Sequence, residues 1–144
     1  MIAIGSDHGG YELKENVKRY LEEKNIPYRD MGCNSNASVD YPVYGRAVAE
    51  SVAEGTCEKG IVICTTGIGI SMVANKVPGV RCALCSDTLS ARMTRLHNDA
   101  NVLALGGGMV GTNLALDIVE TFLNTDFSGE EKHRRRVDMI EGGK

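Results

Sequence analysis

A short glycine-containing segment in the middle of the chain carries the strongest chemical signal. It reads Cys64-Thr65-Thr66-Gly67-Ile68-Gly69-Ile70-Ser71 and follows an apolar run. The two glycines allow a sharp turn that exposes successive backbone amides, and a helix that starts with free amides binds anions. Such amides also favour the thiolate form of a nearby cysteine. A tight turn with a buried cysteine would have the same pattern, so both interpretations stay open.

A second polar pair follows the first apolar run of the chain. Asp7 and His8 are succeeded by Gly9 and Gly10. A carboxylate and an imidazole at the end of a strand make a poor packing element but a useful polar site. Asp7 could instead cap the next helix with its side chain, and the sequence leaves that alternative open.

Two more polar groups lie in the second half of the chain. His97-Asn98-Asp99 stands at the end of a predicted helix, where a single histidine can be structural but three polar residues favour a site. Lys132 and Arg136 are four residues apart, so they share one face of the last predicted helix and could hold one phosphate. A solvated charged face is the usual alternative for such a basic run.

The elements that position these groups follow from the alternation of short apolar runs with helical periodicity. Strands are predicted at residues 1–6, 28–31, 60–64, 80–85 and 101–105, and a charged final helix at residues 130–140. The predicted buried stripes of the other helices are Leu13, Val17, Tyr20 and Leu21; Tyr44, Val48 and Val52; Leu89, Met93 and Leu96; and Leu114, Ile118 and Phe122. A short helix is also expected to start within the Gly67–Gly69 turn.

This pattern predicts one domain over residues 1–144, an α/β fold of three layers (α/β/α). A five-stranded parallel sheet of Rossmann-like topology lies in the middle, and a C-terminal helix is added to it. The strand order is expected to begin 2-1-3, and the order of the last two strands stays open. In such sheets ligands bind beyond the carboxyl ends of the strands, where the strand order reverses. That rule selects the segments that begin at Asp7 and at Cys64.

Composition excludes several classes of protein. A net charge of −3 over 144 residues argues against non-specific nucleic-acid binding. No apolar run approaches the roughly 20 residues that cross a bilayer, and the first residues do not resemble a signal peptide, so we expect a cytoplasmic protein. Five cysteines are an odd number for disulfides. Cys82 and Cys85 lie in one predicted strand with side chains on opposite faces, which argues against a metal site or a redox pair.

Taken together, the motifs resemble ribose-5-phosphate isomerase type B and the wider family that it shares with the galactose-6-phosphate isomerase subunits. The resemblance covers nearly the whole chain. It is carried by Gly5-Ser6-Asp7-His8-Gly9-Gly10, Asp40-Tyr41-Pro42, Ile63-Cys64 through Ser71, Asn75-Lys76, Gly79-Val80-Arg81 and His97-Asn98-Asp99-Ala100-Asn101-Val102-Leu103-Ala104.

The resemblance implies an isomerase that interconverts ribose 5-phosphate and ribulose 5-phosphate through an enediolate, without a metal or an organic cofactor. It implies a homodimer or homotetramer with active sites shared between subunits. The implied catalytic residues are Cys64 as base, His97 for ring opening, Asp7 for proton transfer at the sugar hydroxyls and Thr66 beside the enediolate. The implied substrate-binding residues are His8, Tyr41, Thr65, Gly67, Ile68, Gly69 and Asn98, with Lys132 and Arg136 at the phosphate.

Three positions depart from the family pattern. Thr65 stands where glycine is common, Gly108 where a phosphate-binding arginine is common, and Lys132 where arginine is common. These departures concern the substrate more than the reaction, so an isomerase of allose or galactose 6-phosphate is kept as an alternative. The His97-Asn98-Asp99 triplet favours the five-carbon sugar. A non-catalytic, flavodoxin-like nucleotide-binding module is a further alternative, which explains the glycines but not the cysteine, carboxylate and histidine together.

Overall fold

The computed structural model describes residues 1–143 and contains five parallel strands in the order β2-β1-β3-β5-β4. The strands are β1 (Ile2–Ser6), β2 (Tyr28–Asp30), β3 (Lys59–Cys64), β4 (Cys82–Leu84) and β5 (Val102–Gly106). The α/β class and the predicted start of the order, 2-1-3, are confirmed. The order of the last two strands follows from burial, because every residue of β5 is buried whereas those of β4 are partly or fully exposed. The apolar strand therefore lies inside and β4 at the edge.

Helices cover both faces of the sheet and give the predicted three layers. They are α1 (Tyr11–Glu23), α2 (Tyr41–Ala53), α3 (Ile68–Ala74), α4 (Thr88–Asn98), α5 (Thr112–Asn124) and α6 (Glu131–Ile140). One core lies between the sheet and α1, α4 and α5, and the second lies between the sheet and α2 and α3. Successive residues of a strand alternate between them: Ile61 and Ile63 face the first core, and Val62 and Cys64 face the second.

Two predicted buried stripes are partly wrong. Leu89 is 59% exposed and Leu114 is 40% exposed. In α4 the buried residues are Ala91 and Arg95 instead. A small residue lets this helix approach the sheet closely, and the Arg95 guanidinium lies 5.7 Å from the ring of Phe122. In α5, Ala115 takes the place predicted for Leu114.

Strand β4 is shorter than the predicted strand at residues 80–85, because the backbone amides of the two residues before it make hydrogen bonds outside the sheet. The Val80 N–H donates to the Val77 carbonyl (3.1 Å), and the Arg81 N–H donates to Asn101 Oδ1 (2.8 Å). The predicted orientations of the two cysteines are confirmed, since Cys82 packs against one core and Cys85 lies in the other. Burial, and then the nearby Asp87 carboxylate, raise the pKa of Cys85 to about 11, so this thiol is protonated at neutral pH.

The predicted site residues lie at two opposite edges of the sheet. The strands β1 and β3 end at Ser6 and Cys64 on the carboxyl edge of the sheet. Helix α4 starts beyond the carboxyl end of β4 and runs back for 11 residues, or about 16 Å, to the amino edge, where it ends at Asn98. Among residues 1–143, no helix is both long and apolar enough to pass through a membrane.

Candidate active site

Cys64 is the last residue of β3, and its thiol faces the turn into α3. The Gly67 N–H donates a hydrogen bond to Cys64 Sγ at 3.2 Å. Gly67 has φ of 77°, which only glycine adopts without strain, and it immediately precedes the first residue of α3. The side chain of Cys64 is therefore oriented by a backbone amide at the start of α3.

A cavity of about 400 Å³ opens over this thiol at the carboxyl edge of the sheet. Although Cys64 is only 5% exposed, it is one of the residues that line the cavity. The others are Asp7, Tyr41, Thr65, Thr66, Ile68 and Gly69. The Thr66 hydroxyl accepts a hydrogen bond from the Ile68 N–H at 3.2 Å, which orients it at the start of α3. The switch-point rule therefore selected the segments that meet here.

The side chains of Asp7 and His8 both accept hydrogen bonds from backbone amides. Asp7 Oδ1 accepts hydrogen bonds from the amides of Gly9 (2.9 Å) and Gly10 (3.2 Å), so the capping interpretation holds for this oxygen. The same side chain is 5% exposed and lines the cavity. His8 Nδ1 accepts a hydrogen bond from the Val39 N–H at 3.2 Å, so in the neutral imidazole the proton is on Nε2.

Tyr41 reaches the cavity from the first turn of α2 and lies directly on Gly69. A Cβ built on Gly69 would fall 2.7 Å from Cζ of the Tyr41 ring. Only a residue without a side chain lets the ring take this position. The glycine that sequence analysis assigned to a sharp turn therefore has a second role, which is to admit an aromatic side chain to the wall of the cavity.

The remaining predicted residues lie at the other edge of the sheet. His97 and Asn98 end α4, and Lys132 and Arg136 are exposed on α6. The buried Arg95 fixes the end of α4, since its guanidinium donates to the carbonyl oxygens of Thr125 and Ala100 and to the carboxylate of Asp99. Within one chain, the structure brings nine of the predicted site residues to the carboxyl edge and leaves these four at the amino edge.

Sequence reasoning assigned no role to an aromatic contact that holds α6 on α4. The imidazoles of His97 and His133 stack with their centroids 4.2 Å apart. His133 is buried, and its Nε2 lies 3.2 Å from the Glu130 carboxylate. The helical pattern of α6 does not distinguish His133 from the exposed basic residues beside it, so the signal was absent from the sequence.

Sequence reasoning also assigned no role to a set of exposed apolar side chains around the cavity. A Cβ on Gly67 would touch Leu84, and one on Gly106 would touch Met109, which places both side chains beside the turn that follows β3. Both are exposed, as is Ile68, which lines the cavity. A cluster of this kind is typical of a surface that another protein covers.

Within residues 1–143, no group of three or more histidine, cysteine, aspartate or glutamate side chains is arranged to hold a metal ion. The groups that the cavity offers are a thiol, a carboxylate, hydroxyls and backbone amides. They can move protons and stabilise an oxyanion.

Comparison with known proteins identifies close relatives. The model of the family described as Ribose/Galactose Isomerase matches residues 2–140. The solved ribose-5-phosphate isomerase B of Clostridium thermocellum superimposes with a TM-score of 0.96 at 53% identity, covering 98% of this chain and 95% of that one. Ribose-5-phosphate isomerase B of Escherichia coli is 44% identical over 96% of this chain and 93% of its own length. A galactose-6-phosphate isomerase subunit of Clostridium acetobutylicum is 36% identical, over 98% and 82% respectively.

Proposed function

The chain belongs to the ribose/galactose isomerase family, and from that premise we propose that it interconverts ribose 5-phosphate and ribulose 5-phosphate. It is a sugar-phosphate isomerase. Its relatives include both ribose-5-phosphate isomerase B and a galactose-6-phosphate isomerase subunit, so the five-carbon substrate is the specific part of the proposal. The observation that supports the isomerase chemistry is the position of the Cys64 thiol, which lines the cavity and accepts a hydrogen bond from the Gly67 N–H.

The exchange of an aldose and a ketose moves a proton between adjacent carbons through an enediolate. In our proposal, the Cys64 thiolate removes the proton from one carbon and returns it to the other. The enediolate oxygen lies against the start of α3, where backbone amides and the Thr66 hydroxyl can donate to it. Asp7 exchanges protons with the sugar hydroxyls, and Tyr41 and His8 hold the sugar chain. No cofactor is needed, because the reaction causes no net oxidation.

The phosphate and the closed sugar ring need groups that this cavity does not have in one chain. Among the described residues that line it there is a carboxylate, Asp7, but no lysine or arginine. Lysine and arginine make the strongest contacts with a phosphate dianion, through charge-assisted hydrogen bonds. Lys132 and Arg136 are exposed on α6, whose His133 stacks on His97 at the amino edge. We infer that a second copy presents its amino edge to the cavity.

A two-fold symmetric dimer would complete both sites at once, because the same pair of surfaces meets twice. The exposed apolar residues around the cavity, Ile68, Leu84 and Met109, would be buried in that contact. His97 of one copy would then protonate the ring oxygen of a sugar bound over Cys64 of the other. Five free thiols, one of them the base, fit the reducing conditions of the cytoplasm, where we place the reaction.

Replacement of Cys64 by alanine tests the chemical step. Cys64→Ala should abolish turnover of ribose 5-phosphate while leaving the unfolding temperature and the assembly state close to native. The matched control is Cys57→Ala, because Cys57 is a buried thiol of the same core but is not among the residues of the cavity. Native turnover in Cys64→Ala would refute the assignment of the base.

Mixing of two inactive variants tests the shared site. Cys64→Ala and His97→Ala, unfolded together and refolded as a mixture, should recover about one quarter of the native activity per chain. Half of the dimers are then mixed, and each mixed dimer has one intact site. Refolding of each variant alone is the control. A mixture that forms mixed dimers but stays inactive would place His97 in the site of its own chain.

A panel of five- and six-carbon sugar phosphates decides the substrate. The alternative, a hexose 6-phosphate such as allose or galactose 6-phosphate, is supported by the galactose-6-phosphate relative and by Gly108, which has no side chain at the edge of the site. We expect the highest kcat/KM with ribose 5-phosphate. A higher value with a hexose 6-phosphate would replace the five-carbon assignment and keep the isomerase.

A further inference from the structure

The side chain of Thr65 lies where three segments of the chain meet. The Gly107 N–H donates to the Cys64 carbonyl, and the Gly108 N–H donates to the Thr65 carbonyl, both at 2.8 Å. These bonds continue the pairing of β3 with β5 beyond the strands, since Cys64 is already paired with Gly106. The loop that follows β5 is therefore held against the turn that follows β3.

Glycines on two sides leave space that Thr65 fills. A Cβ built on Gly108 would fall 3.0 Å from Thr65 Cγ2, and a Cβ built on Gly9 would overlap Thr65 Oγ1. The methyl group therefore points at Gly108 and the hydroxyl at Gly9. Side chains at positions 9 or 108 would compete with Thr65 for this space. The side chain that forms this wall of the cavity is thus supplied by Thr65.

The chemistry of this wall is neutral. Thr65 offers one methyl group and one hydroxyl, and the amides of Gly107 and Gly108 already donate to carbonyl oxygens. The wall therefore has no charge with which to hold a phosphate. It can limit the length of a ligand and donate one hydrogen bond to a sugar hydroxyl.

We propose that Thr65, held between Gly9 and Gly108, is the specificity-determining residue that sets the length of the sugar phosphate in the cavity. This inference rests on the proposed isomerase function. In the proposed function the reacting carbons lie over Cys64 and cations outside the wall hold the phosphate, so one additional CHOH unit has to fit between them. The three side-chain atoms beyond Cα of Thr65 are comparable in size to that unit. A size difference of one carbon in a pocket changes kcat/KM about 10- to 200-fold.

The test is the ratio of kcat/KM for ribose 5-phosphate to that for allose 6-phosphate in native protein and in Thr65→Gly, Thr65→Ser and Thr65→Val. Thr65→Gly should lower the ratio by about tenfold or more, because it adds room for the longer sugar. Thr65→Val keeps the shape of the side chain and loses the hydroxyl, so kcat/KM should fall for both substrates while their ratio stays near native. Thr65→Ser loses the methyl group at Gly108 and should give an intermediate ratio. Thr56→Gly, in an exposed loop, is the control.

The outcomes separate this inference from the proposed function. Active Thr65→Gly and Thr65→Ser variants with the native ratio would overturn the role of Thr65 and leave the isomerase intact. If native protein turns over neither sugar phosphate, the proposed function fails, and the role of Thr65 fails with it. If Thr65→Gly does not fold, the ratio in Thr65→Ser decides. If native protein uses only the five-carbon sugar, the appearance of six-carbon turnover in Thr65→Gly supports the inference and its absence refutes it.

Discussion

The imidazole rings of His97 and His133 stack at a centroid distance of 4.2 Å and an interplanar angle of 17°. Two histidines in this arrangement cannot both take up a proton without repulsion. Burial, and then the neighbouring His97, lower the pKa of His133, with Lys132 and Arg136 acting in the same direction and Glu130 opposing them. The pair is therefore a site at which pH acts on the packing of α6 against α4.

The stability of the protein should fall as this pair is acidified. Because the folded pKa of His133 lies below the unfolded value of about 6.5, the unfolded chain binds more protons between the two values. The contribution of His133 to the free energy of unfolding is fully present above about pH 6.5 and is lost as the pH falls towards the folded pKa. Urea unfolding at pH 7.5 and pH 5.5 measures this loss.

His133→Phe keeps a flat buried ring and cannot be protonated, so it should flatten the dependence between these two pH values. His97→Asn removes the like-charged neighbour and should raise the pKa of His133 in an NMR titration. That titration is tractable because the chain has three histidines. A His133→Phe protein with the native pH dependence would place the effect elsewhere.

The contact of Tyr41 with Gly69 predicts the effect of one added methyl group. In Gly69→Ala the new Cβ would lie 2.7 Å from the Tyr41 ring, so the ring has to move from the wall of the cavity. We expect KM for the sugar phosphate to rise by about tenfold, with a smaller change in kcat. Gly111→Ala is a matched control, because a Cβ at Gly111 meets nothing within 4 Å. An unchanged KM in Gly69→Ala would mean that Tyr41 does not hold the substrate.

Replacement of Asp30 and replacement of the buried Lys14 should lower the free energy of unfolding by different amounts. The Lys14 ammonium group is fully buried and donates to both oxygens of Asp30, at 2.8 and 2.7 Å. Asp30→Asn leaves this cation only the more distant carboxylate of Glu15, at 3.8 Å, and should cost about 3–5 kcal/mol of unfolding free energy. Lys14→Met should cost less, because Asp30 keeps Lys18 at 2.9 Å. Equal losses in urea unfolding would contradict the assignment of the buried charge to Lys14.

The same ion pair predicts behaviour in acid. Burial alone would raise the pKa of Asp30, but hydrogen bonds from Lys14, Lys18 and the Gly32 N–H outweigh it and lower the pKa. A lowered folded pKa gives stability that is complete above the unfolded value of about 4 and is lost as the pH falls through the folded pKa. Native protein should therefore lose stability below about pH 4. In Lys14→Met/Asp30→Asn that part of the loss should be absent, as acid titration followed by circular dichroism would measure.

Several features of the site followed from local patterns. The alternation of strands and helices and the switch-point rule were enough to select the segments at Asp7 and Cys64, because both depend on short-range periodicity and on the handedness of the connections. The buried residues of α4 and α5 were harder to predict from the sequence. Leu89 and Leu114 have the right spacing but lie outside the cores, because Ala91 and Ala115 allow a closer approach to the sheet.

Local patterns in the sequence were enough to propose candidate site residues and to predict correctly that Cys64 ends a strand at a glycine turn. The tertiary structure decided the surroundings of these residues. Thr65 meets Gly108 because packing places β5, and not β4, beside β3, with Cys64 opposite Gly106. His97 lies at the far edge from Cys64 because α4 returns across the sheet. Contacts between distant parts of a chain depend on strand order and register, and these are set by the burial of whole faces, which no local pattern contains.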